Sequence, residues 1–309
     1  MTGVIRRLGA LALAGASLAW AADPAAYITE IKKGRGQVQV RTAGAAEWVT
    51  PQPLLALREG DQLRATVDAQ LVVLYHAGGA TRTVTAANSP FTIGPPSSAG
   101  PSDQVGVVAA GVAQFLIGKQ GPQTFRRAAS RSIDPEAVML APRETRLLPG
   151  PVTFEWEGPE QARYHVRVID SRGVVWEQAD VPRRPLPYPA TAPALVPGVL
   201  YAWELETSNQ SAQRARFEIL EDAEARRVRG QLTVLDAARY SPGTLRVMRA
   251  AVLYRAGLYQ EIRRELEPAA AGSDDPTVHL LLADVYQHVG LSARAARAYE
   301  KARVLSGAP

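Results

Sequence analysis

The 309-residue chain contains no cysteine. That excludes disulfides as staples of an exported fold and metal sites built on thiolate. It also excludes a lipid anchor of the kind attached to a cysteine at the cleavage point. Histidine is scarce: His76, His165, His279 and His288 are all there are. None pairs with another at the i, i+4 spacing of a helical metal site, and there is no HExxH. His279 and His288 are nine apart, roughly half a turn off a shared helix face. There is no G-x-S-x-G elbow and no glycine loop to cradle phosphate. Asp61 and Asp68 form a conceivable acid pair for glycoside chemistry, but both read as turn residues. No enzyme, metal or cofactor is expected. Long apolar runs are also missing. Val105 to Ile117, VGVVAAGVAQFLI, is 13 residues, short of the roughly 20 that span a bilayer. Charge of one sign is modest, at 35 Lys and Arg against 30 Asp and Glu, and the basic residues are scattered. Nucleic acid is therefore excluded as a partner.

What is present begins with MTGVIRRLGALALAGASLAWAADP. Arg6 and Arg7 precede an apolar stretch, Leu8 to Leu18, and Ala19-Trp20-Ala21 fits a small-x-small cleavage site. This is the pattern of a secretory signal peptide over residues 1–21. Cleavage near Ala22 would leave 33 basic residues against 30 acidic ones, a formal charge of +3. The expectation is a soluble bacterial-type protein, periplasmic or otherwise exported, with no stable membrane span.

Residues 27–93 read as strands. Gln37 to Arg41 alternates polar and apolar, and Leu71 to Tyr75 is apolar on both faces, as in a strand covered on both sides. Between them, LREGDQLRAT places a Gly60-Asp61 turn between short half-apolar segments. The order is Ile28 to Ile31, Gly36-x-Val38-x-Val40, Trp48, Leu57 and Gly60-Asp61-x-Leu63, then an apolar strand and a glycine turn. Over about 65 residues this resembles the FecR-type periplasmic β domain. That resemblance implies an all-β module of a kind found in signalling from outer-membrane receptors. The anti-sigma segment and membrane span of the namesake proteins have no counterpart here. The rival is a peptidoglycan-binding LysM module, which also begins near Gly-Asp-x-Leu. It requires two helices where this sequence shows strand patterns.

Residues 94–140 read as a linker carrying the apolar segment 105–117, taken as a buried helix on its own domain. Residues 142–220 return to period two. Val152 to Trp156 and Arg163 to Ile169 read as strands, joined onward by an Asp170–Gly173 hairpin turn. Leu195, a Pro-Gly turn and Tyr201 resemble a tyrosine corner, and Trp156 is the expected core tryptophan. The segment resembles a fibronectin type III-like, immunoglobulin-like sandwich.

From 222 to 307 the apolar period becomes 3.6. Pro242 and Pro276 are 34 apart, and Gly257 and Gly290 are 33 apart. With Leu282-Ala283, Tyr286, Ala295, Tyr299 and Ala302, this spacing resembles two tetratricopeptide repeats after one extra helix. The resemblance implies a groove lined by Thr244, Val247, Ala251, Tyr254 and Arg255, then Thr277, Leu280, Asp284, Gln287 and His288. Tyr254, Arg255, Asp284, Gln287 and His288 are the candidate partner residues. Two repeats are fewer than the three usually needed for independent stability. Docking on the neighbouring sandwich, or homo-oligomerisation, therefore stands level with a peptide groove. The expected architecture is multidomain: an all-β FecR-type domain, an immunoglobulin-like sandwich and helical hairpins. The expected function is a non-enzymatic envelope scaffold or adaptor with protein partners. The alternatives are peptidoglycan or glycan binding through the N-terminal module, and a sensory accessory of an outer-membrane receptor.

Overall fold

The computed structural model describes residues 24–95, 103–117, 137–207 and 210–307. Residues 1–21, read from the sequence as a leader, and most of the segment read as a linker lie outside them. A β-rich N-terminal region is followed by a run of five helices at the C-terminus.

The first β region holds strands β1 (Ala26–Lys32), β2 (Val38–Arg41), β3 (Ala56–Leu57), β4 (Gln62–Ala65), β5 (Gln70–Tyr75), β6 (Thr81–Thr85) and β7 (Phe91–Thr92). They form two sheets, ordered β3-β1-β5-β6 and β2-β4-β7. Alternation in β2 and β4 sends Val38, Val40, Leu63 and Ala65 into a shared core with Ile28, Ile31, Leu71 and Val73. The same alternation leaves Gln39, Arg41, Gln62 and Arg64 on the outer face. Strand β5 is covered on both sides: Leu74 joins a second core with Tyr27, Leu54 and the helices. In the Gly-Asp turn, Gly60 has φ +86. Asp61 is 5% exposed, and its carboxylate accepts the N–H groups of Arg58 at 2.8 Å and Ala43 at 2.9 Å.

A short α1 (Asp103–Ile117) precedes the second β region. That region comprises β8 (Val138–Ala141), β9 (Thr145–Leu147), β10 (Thr153–Glu157), β11 (Tyr164–Asp170), β12 (Gly173–Val181), β13 (Leu186–Pro187), β14 (Leu200–Thr207) and β15 (Gln210–Ile219). Its sheets run β13-β10-β8 and β12-β11-β14-β15-β9. Strand β8 begins inside the segment 94–140 read as a linker and ends one residue beyond it. Its register against β10 places Met139 opposite Trp156, which brings Met139 into the sandwich core. Trp156 is in that core, but Trp203 is more deeply buried. The Trp203 indole N–H donates to Pro142 O at 2.6 Å, which satisfies its one polar atom in the interior.

The helices are α2 (Asp222–Ala237), α3 (Pro242–Arg255), α4 (Tyr259–Ala271), α5 (Pro276–His288) and α6 (Ser292–Ser306). Pro242 and Pro276 open α3 and α5, where the missing N–H costs nothing. Gly257 and Gly290 turn the chain at φ +74 and +76, a conformation that favours glycine. Helix α1, read as a buried helix on its own domain, is buried: it packs mainly on α3 and α2, through Val108, Val112, Phe115 and Leu116, and its Val105 and Ala109 also lie beside Gly79 of the first β region. Val247, Ala250 and Ala251 of α3 share that core. No helix among the described residues is long and apolar enough to cross a membrane.

Candidate functional site

Three parts of the same chain meet the helical hairpins at three places. The first is the N-terminal end of α3 and α5. Strand β1 carries a bulge between Ile28 and Glu30, a device that redirects side chains. Glu30 Oε1 accepts the N–H groups of Gly243 at 2.7 Å and Thr244 at 3.2 Å. A carboxylate there complements the positive end of α3, and its Oε2 lies 3.4 Å from Lys32 Nζ. A Cβ at Gly243 would fall within contact distance of the Glu30 side chain, so the approach depends on glycine. Beside it, the Thr29 and Thr244 hydroxyls are 2.8 Å apart. At α5 the arrangement reverses. Asp275 caps its own helix by accepting Thr277 N–H at 2.9 Å and also accepts Ile31 N–H from β1 at 3.4 Å. Burial pushes the Asp275 carboxyl upward; its backbone hydrogen bonds oppose that, and the charge of Glu30 adds to it.

The second place is the turn inside each hairpin, held by the second β region. Thr145 Oγ1 donates to Gly257 O at 3.2 Å, and Arg146 N–H donates to the same oxygen at 2.8 Å. Arg143 Nε donates to Val289 O at 2.6 Å. The arginine side chains lie against the two equivalent glycines, Arg146 on Gly257 and Arg143 on Gly290. Arg146 also makes a two-pronged bond to Glu224 of α2, at 2.9 and 2.6 Å. That hydrogen bond holds the Glu224 carboxyl below its usual range. From α4, the buried Arg263 donates to Leu140 O at 2.6 Å.

The third place is the inner face itself. Thr244, Val247 and Ala251 are buried, and Phe115 of α1 sets its ring 5.0 Å from that of Tyr254. Arg255 reaches Gly111 of α1, where a Cβ would collide with its guanidinium.

The candidate partner residues therefore divide. Tyr254 and His288 come together in a three-ring cluster with Tyr259: between ring centres His288 to Tyr259 is 4.0 Å, Tyr254 to Tyr259 is 5.1 Å and Tyr254 to His288 is 5.7 Å. Burial pushes the Tyr259 hydroxyl up to about 12. Arg255 is exposed, with its guanidinium lying beside Gly111 of α1. Asp284 is buried and accepts the Tyr299 hydroxyl at 2.6 Å within its own hairpin. Gln287 and His288 remain exposed. Two of the other three histidines go elsewhere, His165 to Glu177 at 3.1 Å and His279 to Ser273 O at 3.0 Å, and His76 lies in the turn after β5.

Sequence reasoning missed Glu30, Arg143 and Arg146. For Glu30 a signal existed, since a lone carboxylate inside AYITEIK is out of place in a buried strand. A second feature lies on the outer face of β2 and β4. Trp48 has the Arg64 guanidinium 4.3 Å from its ring centre and that of Arg41 at 4.9 Å. No protein-family model matches the chain, and no curated protein matches its sequence.

Proposed function

We propose that this protein is a non-enzymatic, exported scaffold of the bacterial envelope. In this reading the helices are tetratricopeptide-like repeats, held between a FecR-type domain and an immunoglobulin-like sandwich. One observation carries it: the inner face of α3 is occupied by α1 and β1 of the same chain. Such a hub joins modules and leaves their outer surfaces, with Gln287 and His288 at the open end, to meet envelope proteins. The hydrogen bond from Val196 N–H to the Tyr201 hydroxyl, 2.8 Å, supports the tyrosine-corner reading of the sandwich.

The test is affinity purification of the full chain from envelope extract, beside a Gln287→Ala/His288→Ala variant. The scaffold reading expects a defined partner that the variant loses. Hydrolytic activity in the purified protein, with no retained partner, contradicts it. Export is tested by fractionation and N-terminal sequencing, which should find a mature chain starting near Ala22.

A second reading, glycan binding by the N-terminal module, is favoured by the placement of Trp48 over two arginines.

A further inference from the structure

The geometry points to the outer face of β2 and β4 as a binding platform for a carboxylate-bearing saccharide; this rests on the glycan reading above. Register pairs Gln39 with Arg64 and Arg41 with Gln62 across the two strands. Side chains alternate faces along a strand, so all four project to the same side. They form a checkerboard of two guanidiniums and two amides, and Trp48 lies over both guanidiniums. Each arginine is tied to the glutamine opposite: Arg64 Nε donates to Gln39 Oε1 at 2.6 Å, and Arg41 Nη2 donates to Gln62 Oε1. Two guanidiniums are thus held near each other by neutral partners. Among the described residues neither has a carboxylate partner. Fixing two like charges side by side is unfavourable until an anion arrives. Guanidinium suits a carboxylate because its fork of donors matches two oxygens.

The rest of the ligand is read from what surrounds the charge. The groups there are planar: indole, amide and guanidinium. Planar groups of this kind accept the face of a sugar ring and hydrogen-bond its hydroxyls. An acidic peptide added as an extra strand would need a free sheet edge. The edge of β2 is already engaged at Val40, which exchanges hydrogen bonds of 2.8 and 2.9 Å with Val49. A saccharide carrying a carboxylate is therefore the better match.

The probe is the soluble disaccharide N-acetylglucosaminyl-N-acetylmuramic acid, with its lactyl carboxylate free, titrated calorimetrically into the full chain. Neutral chitobiose and oligoglutamate are titrated in parallel. The acidic disaccharide should bind at least about tenfold more tightly than chitobiose, and added salt should weaken it. Trp48→Ala and Arg64→Gln should each weaken it about tenfold while leaving the melting temperature close to that of the parent. Equal affinity for chitobiose, tighter binding of oligoglutamate, or undiminished binding by both variants would overturn the platform. Co-sedimentation with peptidoglycan whose stem peptides have been removed by an amidase, which frees the lactyl carboxylates, separates the two levels of the claim. Sedimentation retained by both variants overturns the platform and keeps the glycan reading; no sedimentation of the parent chain overturns both.

Discussion

Asp275 shows how a single residue can join two regions at an electrostatic cost. It caps α5 and accepts an N–H from β1, and it is buried with its carboxyl pushed upward, chiefly by desolvation. The folded state therefore holds the proton more tightly than the unfolded chain does. Stability from this group is fully present below the unfolded carboxyl value and is lost as pH rises through the raised folded value. Asparagine keeps the capping oxygen without the charge. Asp275→Asn should thus match or exceed the parent in stability at neutral pH and flatten the decline with rising pH. Urea midpoints followed from about pH 4 to about pH 8 check this. A variant that is less stable at neutral pH, with an unchanged pH slope, would contradict it. Asp61 is the opposite case, a carboxylate whose partners are two backbone N–H groups in its own domain. Asp61→Ala leaves both without the acceptor and should cost about 1–3 kcal/mol, read as a drop in thermal midpoint. Asp61 was legible in LREGDQLRAT because a Gly-Asp turn is local chemistry. What that stretch could not show is that Asp61 reaches back to Ala43.

At the scale of elements, helix punctuation was readable and helix partners were not. Pro242, Pro276, Gly257 and Gly290 act within their own turns, so their spacing reveals two similar hairpins. The β strands were readable for the same reason, through alternation in Val38–Arg41 and Tyr164–Ile169. Helix α1 was recognisable as apolar, but no local rule tells a helix which surface it will cover. The N-terminal end of α3 tests the strand-to-helix contact. Alanine at an exposed helix position is normally favourable relative to glycine by about 1 kcal/mol. Gly243→Ala should nonetheless destabilise, because the new Cβ meets Glu30. Paired with Glu30→Ala the loss should shrink, giving a coupling that a double-mutant cycle measures. A Gly243→Ala variant at least as stable as the parent would show that β1 does not approach α3 this closely.

For the whole molecule, the bonds that matter most join residues far apart in the chain. Glu30 reaches α3 across 213 residues, and Arg143 reaches Val289 across 146. Such pairs leave no periodic trace in a sequence, which is why sequence reading left a peptide groove and docking level, while the structure fills the α3 side of the face from within the chain. They also make the β regions and the hairpins one docked unit. The absence of cysteine offers a direct test. Thr29 and Thr244 face each other with hydroxyls 2.8 Å apart, and a Thr29→Cys/Thr244→Cys chain would carry no other thiol. Under mild oxidation this double variant should form an intramolecular disulfide in nearly every molecule and remain the same size in solution as the parent. Free thiols persisting in a folded protein, or cross-linking only between chains, would contradict the docking of β1 on α3 and with it the account of the occupied inner face.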